Sequence, residues 1–240
     1  MLTPAELSRY ARQLVLPEVG LAGQEKLRAA RILVVGAGGH GQVVAEALQA
    51  SDRVVRGFVD RSVAPGTEVA GLPVLGGDDW LKTDGGYDLA NGVGGAGTRA
   101  DHGRRREVQE RLEAVGFRFV SVRHPAAVAS PGAEIGPGVQ LLARAVVQTG
   151  ARVGAGTIVN TGAIVEHGCR VGAFTHCATG AILCGDVTVG DDAHIGAGAV
   201  VRQGVTLECG VIVGAGAVVL EPGAGPGPLV GVPARRRERT

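Results

Sequence analysis

Two histidines stand close together in a stretch that otherwise consists mainly of small and aliphatic residues. The sequence VEHGCRVGAFTHCATG, residues 165–180, contains His167 and His176. An imidazole suits general base catalysis, because it stays largely neutral near pH 7 and can accept a proton there. These residues therefore favour a reaction in which a proton is taken from an attacking amine or hydroxyl group. For His167 the alternative interpretation is an ordinary turn residue.

The elements that must position these histidines follow a repeat of six residues. Every sixth residue from Ile135 to Val219 is apolar, and a small or β-branched residue follows four positions after each. This period belongs to neither an ordinary strand nor a helix, so it predicts a prism of short strands and turns. Three hexads form one triangular coil with aliphatic side chains inside, in agreement with an aromatic content of only 3%.

The position of each histidine within the repeat predicts where it lies on the prism. His176 and His194 are one coil of eighteen residues apart, so they should form one column on the surface. His167 has a different phase and points elsewhere on its own prism. It can meet His176 around one ligand only through a neighbouring subunit, which a closed threefold arrangement supplies. We interpret His194 as a surface or interface residue.

A different pattern precedes the repeat. Residues 31–60 read as a strand over 32–35, a glycine-rich turn, a helix, and a strand over 54–59 that ends at Asp60. The turn matches GxGxxG directly after a strand, with the glycines Gly36, Gly38 and Gly41. Such glycines let the backbone approach a phosphate at a helix N-terminus, although the same turn also serves tight packing alone.

Together these patterns predict an α/β plus all-β protein. The mixed region continues with strands over 72–76 and 117–122 and a helix over 103–115. We expect a helical N-terminal extension, a Rossmann-like domain, a β-helix and a basic C-terminal tail. Their predicted ranges are 1–30, 31–123, 124–233 and 234–240.

The composition limits the binding partners and the cellular location that we expect for this chain. The net charge of +1 gives no field that would draw the whole chain to nucleic acid or to a membrane surface. The arginine runs at 104–106 and 235–237 are interpreted as solvated surface. No apolar stretch is long enough to span a bilayer, and the first residues do not resemble a signal peptide. The four cysteines form no CxxC pair, so we expect buried, reduced thiols and a cytoplasmic location.

Several motifs carry a family resemblance that covers about residues 31–235. They are GAGGHGQVV, FVD, HPAAVASPGAEIGPGV, VNTGAIVEHGCRVG, FTHCATGAIL and GVPAR. In this order they resemble the sialic-acid O-acetyltransferase and nucleotide-linked amino-sugar N-acetyltransferase family. The resemblance implies a left-handed β-helix, a homotrimer, and acetyl-CoA as co-substrate without a metal. It also implies N-acetylation of a nucleotide-linked amino sugar in the synthesis of a surface polysaccharide or glycan precursor, with O-acetylation of sialic acid as the alternative.

The same resemblance assigns roles to individual residues. The catalytic set is His167 as the general base, with Glu166 and Asn160. The set that contacts the sugar nucleotide, in the Rossmann-like domain, is Gly38, Gly39, His40, Asp60 and Arg61. The set that contacts acetyl-CoA, in a groove between neighbouring prisms, is His176, Gly185, Ala197 and Ala215.

One position departs from the family pattern. The family commonly has a carboxylate directly after the catalytic histidine, where this chain has Gly168. Glu166, a backbone carbonyl or Asn160 could orient the ring instead, or activity is weakened. We favour the carbonyl or Asn160, and expect Gly168→Glu to raise kcat unless Gly168 needs a positive φ.

Other resemblances and functions stay open. The start LSRYARQLVLPEVGLAGQEKLRAARILVVGAGG resembles the adenylating enzymes that activate sulfur carriers, but the arginine and the CxxC pairs of that family do not follow. Prisms of this kind also serve as zinc carbonic anhydrases, although two histidines five apart are absent here. A non-enzymatic scaffold is the third interpretation.

Overall fold

The computed structural model describes residues 31–82, 86–95, 103–221 and 227–237. The predicted helical extension over 1–30 and the end of the basic tail lie outside these residues. Within the described part of the chain, no helix has the length and apolar character needed to cross a membrane.

The N-terminal domain is a five-stranded sheet with strand order β3-β4-β2-β1-β5. All neighbours are parallel except β3 and β4, which form an antiparallel pair. A helix, α1, connects β1 to β2, and a second helix, α2, follows β5. The elements are β1 (Arg31–Val35), α1 (Gly39–Ala50), β2 (Val54–Val59), β3 (Glu68–Val69), β4 (Leu72–Gly76), β5 (Tyr87–Asn91) and α2 (Arg104–Glu113).

The predicted strands around the glycine turn, the strand over 72–76 and the helix are present, but the rest of this domain differs from expectation. Strands β3 and β5 were not predicted. The expected strand over 117–122 is a single bridge from Phe119 to Leu89, followed by a two-residue strand that begins at Val122. This segment leaves the open sheet and enters the prism, so it pairs with each only briefly.

The C-terminal domain is the predicted left-handed β-helix, a triangular prism with three parallel faces. We name the faces the docked face, the aliphatic face and the charged face. The docked face contains β6 (Val122–Arg123), β9 (Gln140–Leu141), β12 (Ile158–Val159), β15 (His176–Cys177), β18 (His194–Ile195), β21 (Ile212–Val213), β23 (Leu229–Val230) and β24 (Arg235–Arg236).

Each of the other two faces repeats a strand of two residues in every coil. The aliphatic face contains β7 (Val128–Ala129), β10 (Val146–Val147), β13 (Ile164–Val165), β16 (Ile182–Leu183), β19 (Val200–Val201) and β22 (Val218–Val219). The charged face contains β8 (Glu134–Ile135), β11 (Arg152–Val153), β14 (Arg170–Val171), β17 (Thr188–Val189) and β20 (Thr206–Leu207).

The interior of the prism is built from the residues that the hexad pattern selected. One continuous core runs from Ala127 to Ala234 and consists of valine, leucine, isoleucine, alanine and two cysteines. Thr157 and Thr175 also point inward, and their hydroxyl groups donate to backbone carbonyls at 2.7 and 2.9 Å. The buried hydroxyls are therefore satisfied, so they do not weaken the core.

The N-terminal domain packs on the docked face. Val122, Leu142 and Ile158 of the prism share one buried cluster with Val44 and Leu48 of α1. The two domains thus bury a shared apolar interface, and separating them would cost the free energy of exposing that surface to water.

Two arginines correct the prediction that both arginine runs are solvated. Arg105 is only 8% exposed, and its guanidinium donates to the carbonyl oxygens of Gly156 and Phe174 on the prism. The side chain of Arg236 is 10% exposed and donates to the carbonyl of Gly227. The long aliphatic part of an arginine side chain can pack in a buried position while its guanidinium finds hydrogen-bond acceptors, so the charge alone did not predict this burial.

The cysteines agree only partly with expectation. Cys169 and Cys177 are buried thiols, and burial is the main cause that raises their pKa values to about 11 and about 12. Cys184 is half-buried, whereas Cys209 is exposed, in contrast to the prediction. Cys209 sits on a prism corner, where its neighbours Glu208 and Gly210 are exposed too.

Candidate active site

The glycine turn after β1 is tight at one end and open at the other. A Cβ on Gly41 would lie 1.9 Å from the carbonyl oxygen of Gly36, so only glycine lets α1 pack this closely. Gly38 and Gly39, where α1 begins, are exposed, and a Cβ on either would meet no other atom within 4 Å. The N-terminus of α1 is therefore accessible to an anionic group.

Asp60 braces this turn from the end of β2. Its Oδ2 accepts from the N–H of Ala37 at 2.8 Å, and its Oδ1 accepts from the N–H and hydroxyl of Ser62 at 2.8 and 2.6 Å. Burial alone would raise the pKa of Asp60, but these hydrogen bonds outweigh it and lower the pKa below its ordinary value. Arg61, next to it, is exposed and pairs with Asp78 at 2.7 Å. Asp60 thus contacts the glycine turn, whereas Arg61 packs against Gly77, directly after β4.

His40 lies on the same turn but points to the prism. Its Nε2 lies 2.9 Å from Oε1 of Gln140 on the docked face, and the amide of Gln140 donates to the carbonyl of Asn91 at 2.6 Å. Burial is the main cause that lowers the pKa of His40, and the positive charge of Arg105 adds to it against the hydrogen bond of Gln140. His40 is therefore a neutral group at the domain junction, 6.3 Å from the ring of His176.

His176 and His194 form the predicted column on the docked face. They pair across β15 and β18, and their rings meet edge to face with centroids 5.0 Å apart. Nε2 of His176 lies 3.1 Å from the amide nitrogen of Asn160, while the N–H of Thr161 donates to Oδ1 of Asn160 at 2.7 Å. Because Oδ1 of Asn160 accepts from Thr161, the amide nitrogen of Asn160 faces the ring. Nε2 of His176 therefore accepts a hydrogen bond from that amide, and the ring proton is on Nδ1.

The charge state of His176 follows from its surroundings. Burial is the main cause that lowers its pKa to about 2, with repulsion from His194, Arg105 and His40 adding to it. A backbone hydrogen bond at Gly95 opposes the shift. His176 is therefore neutral, with partners inside its own chain, which suits a role in positioning more than in proton abstraction.

A small cavity opens beside this column. Arg106 closes one side, where it pairs with Asp192 through two hydrogen bonds of 3.0 and 2.8 Å and stacks over Phe174 at 4.4 Å. Arg105 lies beneath, and burial lowers the pKa of its guanidinium to about 10. The lining is Gly94, Gly95, Gly103, Arg105, Arg106, Phe174, His176, Asp192, Ala193 and His194.

His167 occupies a different part of the molecule. It is exposed on the corner between the aliphatic and charged faces, directly after β13. A Cβ on Gly185, one coil further on, would lie 2.5 Å from the imidazole, so the ring covers Gly185. The carboxylate of Glu166 accepts from the backbone N–H of His167 at 3.3 Å. No described residue forms a hydrogen bond to the ring itself.

The structure therefore divides the predicted catalytic set. His167 and Glu166 share one corner, whereas Asn160 is on the corner between the docked and aliphatic faces and contacts His176. The expectation that Asn160 holds the ring of His167 is wrong within one chain. Gly168 has a φ of 68°, so the condition for a beneficial Gly168→Glu substitution is not met.

The remaining predicted residues bracket the aliphatic face. Gly185 lies on the same edge as His167. Ala197 and Ala215 are exposed on the opposite edge, one coil apart. A groove along the aliphatic face would thus have His167 on one side and the two alanines on the other.

Several residues of this region escaped sequence reasoning. Asn91, Gln140, Arg105 and Asp192 have no motif around them, and their roles depend on contacts between domains. The one available signal was Gln140, a polar residue in the column of the repeat that also holds His176. Among the described residues, no cluster of three or more His, Cys, Asp or Glu side chains could hold a metal ion.

Comparisons with known proteins identify similar chains. Residues 31–112 match the family described as PglD N-terminal domain. A mutant of perosamine N-acetyltransferase from Caulobacter crescentus, in complex with CoA and GDP-perosamine, is 34% identical with a TM-score of 0.80. The match covers 88% of this chain and 98% of that one. The acetyltransferase domain of PglB from Neisseria gonorrhoeae is 37% identical with a TM-score of 0.77, over 86% of this chain and 99% of that domain.

A second similarity concerns a short segment. An adenylyltransferase and sulfurtransferase from Bos taurus is 46% identical over 69 residues, which is 29% of this chain and 15% of that protein. A sulfur carrier protein adenylyltransferase from Thermus thermophilus is 43% identical over 81 residues, which is 30% of each chain. The resemblance of the N-terminal segment to such enzymes is therefore confirmed, but this chain spans less than a third of either protein.

Proposed function

Because this chain belongs to the family of left-handed β-helix acetyltransferases that use acetyl-CoA to modify sugars, we propose that it N-acetylates a nucleotide-linked amino sugar. The observation that carries the proposal is the geometry of the aliphatic face, which has the exposed His167 on one edge and Ala197 and Ala215 on the other. The similar structures with CoA and GDP-perosamine support this substrate class. The product would serve as a precursor of a surface polysaccharide or glycan, made in the cytoplasm.

His167 is the proposed general base. Its ring is exposed, and the described residues leave both ring nitrogens without a hydrogen bond. The two nitrogens of His176, by contrast, are engaged by Asn160 and by the backbone at Gly95. The amine attacks the thioester carbonyl of acetyl-CoA while His167 takes the proton that the amine loses. The C–S bond then breaks, and CoA leaves as the thiol.

The glycine turn is the proposed site for the nucleotide. Gly38 and Gly39 leave the N-terminus of α1 open, and Asp60 holds the turn in place from β2. The helix dipole and the free N–H groups favour a phosphate there. Arg61 follows Asp60 directly and is exposed, but in this structure its charge is paired with Asp78. It could contribute to phosphate binding only by exchanging that partner.

A homotrimer is part of the proposal, because His167 and His176 lie on different parts of one prism and could meet around one ligand only across a subunit boundary. Outward side chains on the aliphatic face are all valine or isoleucine, and they are exposed or half-buried: Val128, Val146, Ile164, Ile182, Val200 and Val218. A continuous apolar column of this kind is typical of a subunit interface. A neighbouring prism on this face would bring its own docked face or corner toward His167.

A thermal-shift panel with an activity assay tests this function. UDP-, GDP-, dTDP- and CMP-linked amino sugars and free sialic acid are combined with acetyl-CoA, and release of the CoA thiol is followed. We expect one nucleotide amino sugar to raise Tm and to be N-acetylated, as shown by mass spectrometry. His167→Gln should lower kcat by about a hundredfold, whereas Arg152→Gln on the charged face should not. Acetylation of sialic acid oxygen alone would replace the proposal with the alternative, and absence of any thioester turnover would refute it.

A further inference from the structure

Gly168 and Asp186 occupy equivalent corners of two successive coils. Oδ1 of Asp186 lies 2.1 Å from the place where a Cβ on Gly168 would be. The carboxylate of one coil thus fills the space above the glycine of the previous coil. The backbone N–H of Asp186 also donates to the carbonyl of His167 at 2.9 Å, so the two corners are fixed to each other.

The side chains of His167 and Asp186 cross the gap between these coils in opposite directions. The imidazole of His167 extends toward Gly185, where a Cβ would lie 2.6 Å from its Nε2. The carboxylate of Asp186 extends back toward Gly168. Successive residues are about 3.8 Å apart and successive coils about 4.8 Å apart, so the two side chains are neighbours on this corner. No hydrogen bond joins them in the described structure.

Glycine at 168 and aspartate at 186 both suit this arrangement. The corner needs a left-handed backbone in each coil, with φ values of 68° at Gly168 and 58° at Asp186. Aspartate is one of the few residues with a side chain that tolerates this conformation. A side chain at Gly168 would occupy the position of the Asp186 carboxylate, so the chain accommodates one carboxylate here and supplies it from the later coil.

The other charged groups around this corner are few. Glu166 uses its carboxylate on the backbone N–H of His167. The corner above carries Arg202 and is joined by the hydrogen bond from Gly204 to the carbonyl of Gly185 at 3.0 Å. The corner below consists of uncharged residues and is joined through the carbonyl of Thr149 to Gly168 at 3.2 Å. Arg170 follows on the charged face.

We propose that Asp186 is the positioning residue for His167. A rotation of the Asp186 side chain lets its carboxylate accept the N–H of the ring nitrogen that faces away from the sugar, a hydrogen bond that the described conformation does not contain. This bond fixes the tautomer and leaves the other nitrogen free to take the proton of the attacking amine. The carboxylate then stabilises the imidazolium through charge. This inference rests on the proposed function. It assigns the orientation of the His167 ring to Asp186 of the next coil, and not to Glu166 or Gly168.

Kinetics of three variants test the assignment. Asp186→Asn keeps the left-handed backbone and removes the charge, so we expect kcat to fall about tenfold with both KM values unchanged. The double variant Asp186→Gly with Gly168→Asp returns a carboxylate to the same space from the other coil and should recover most of kcat. Asp52→Asn, another aspartate with a left-handed φ of 59°, is the matched control and should match the wild type. Unchanged kcat in Asp186→Asn, or a loss that the double variant does not recover, would overturn the proposal.

The tautomer of the ring separates this inference from the proposed function. The protein is labelled with 15N-histidine, and the ring signals of His167 are assigned by their loss in His167→Gln. Because Asp186 is proposed to fix the tautomer, Asp186→Asn should change the 15N shifts that report which ring nitrogen of His167 carries the proton, whereas Asp52→Asn should not. Unchanged ring shifts of His167 in Asp186→Asn would overturn the pairing. A protein without acetyltransferase activity that still shows the change would refute the function and keep the pairing.

Discussion

His176 and His194 stand in register on neighbouring strands of the docked face, with their ring centroids 5.0 Å apart and nearly perpendicular. With His40 6.3 Å from His176 on the other side, three imidazoles meet where the two domains join. Such a group is stable only while its members are neutral, because like charges at this distance repel each other in a buried site.

Stability should therefore depend on pH. Burial lowers the pKa of both His40 and His176 below the ordinary 6.5, in the latter case to about 2. Below about pH 6.5 these two imidazoles bind protons in the unfolded chain but not in the folded chain. The free energy of unfolding therefore falls as the pH is lowered. Each histidine should contribute a loss of up to about 1.4 kcal/mol per pH unit. Urea unfolding at pH 7.5 and 5.5 measures this loss.

Variants identify the histidines responsible. His176→Gln should flatten the pH dependence, whereas His167→Gln, at an exposed position, should keep it. A wild-type protein that is equally stable at both pH values would contradict the burial of these imidazoles.

Assembly should depend on the aliphatic face. Ile182→Asp places a charge in the middle of the apolar column, so the desolvation cost should prevent subunit contact and give a monomer. Thr188→Asp makes a similar change on the charged face of the same coil and should leave the trimer intact. Light scattering coupled to size-exclusion chromatography distinguishes the two, and a trimeric Ile182→Asp protein would exclude this face as the interface.

A carboxylate added at position 168 should harm the protein. Gly168→Glu combines a left-handed φ of 68° with a clash against Asp186, whose Oδ1 lies 2.1 Å from the new Cβ. We expect a loss of about 1–3 kcal/mol in the free energy of unfolding and a lower kcat. Urea unfolding and steady-state kinetics measure both, and a gain in kcat would restore the simpler expectation from the family pattern.

Glu166 should contribute little to the reaction. Its carboxylate accepts from the backbone N–H of His167, which the amide oxygen of glutamine can replace. Glu166→Gln should therefore keep kcat within about threefold of the wild type, well short of what loss of a general base costs. A fall of kcat in Glu166→Gln as large as that in His167→Gln would make Glu166 the orienting residue.

The prism and its columns could be predicted because the repeat determines them. Once every sixth residue is placed inside, the register of His176 with His194 follows from their separation along the chain. The phase of His167 on another corner follows in the same way. These relationships depend on periodicity alone, and a single sequence displays periodicity fully.

Relationships that depend on side-chain direction were not predictable. His40, predicted to contact the sugar nucleotide, also lies within hydrogen-bond distance of Gln140 from the other domain, a contact that no motif indicates. Arg105 reads as part of a solvated run, yet carbonyl oxygens of the prism surround its guanidinium. Neither Gly168 nor Asp186 belongs to a motif that indicates their proximity. Only the stacking of successive coils brings the Asp186 carboxylate above Gly168.

The stacking of equivalent corners also constrains how this chain can change length. Insertion or deletion of one whole coil keeps every later residue on its face, whereas loss of a single residue rotates all later strands and turns their core outward. A coil added beyond Asp186 lengthens the prism without disturbing His167. A coil inserted between the coil of His167 and the coil of Asp186 would separate the two residues. We therefore expect evolution to tolerate coil duplications near the C-terminal end of the prism but not between these two coils.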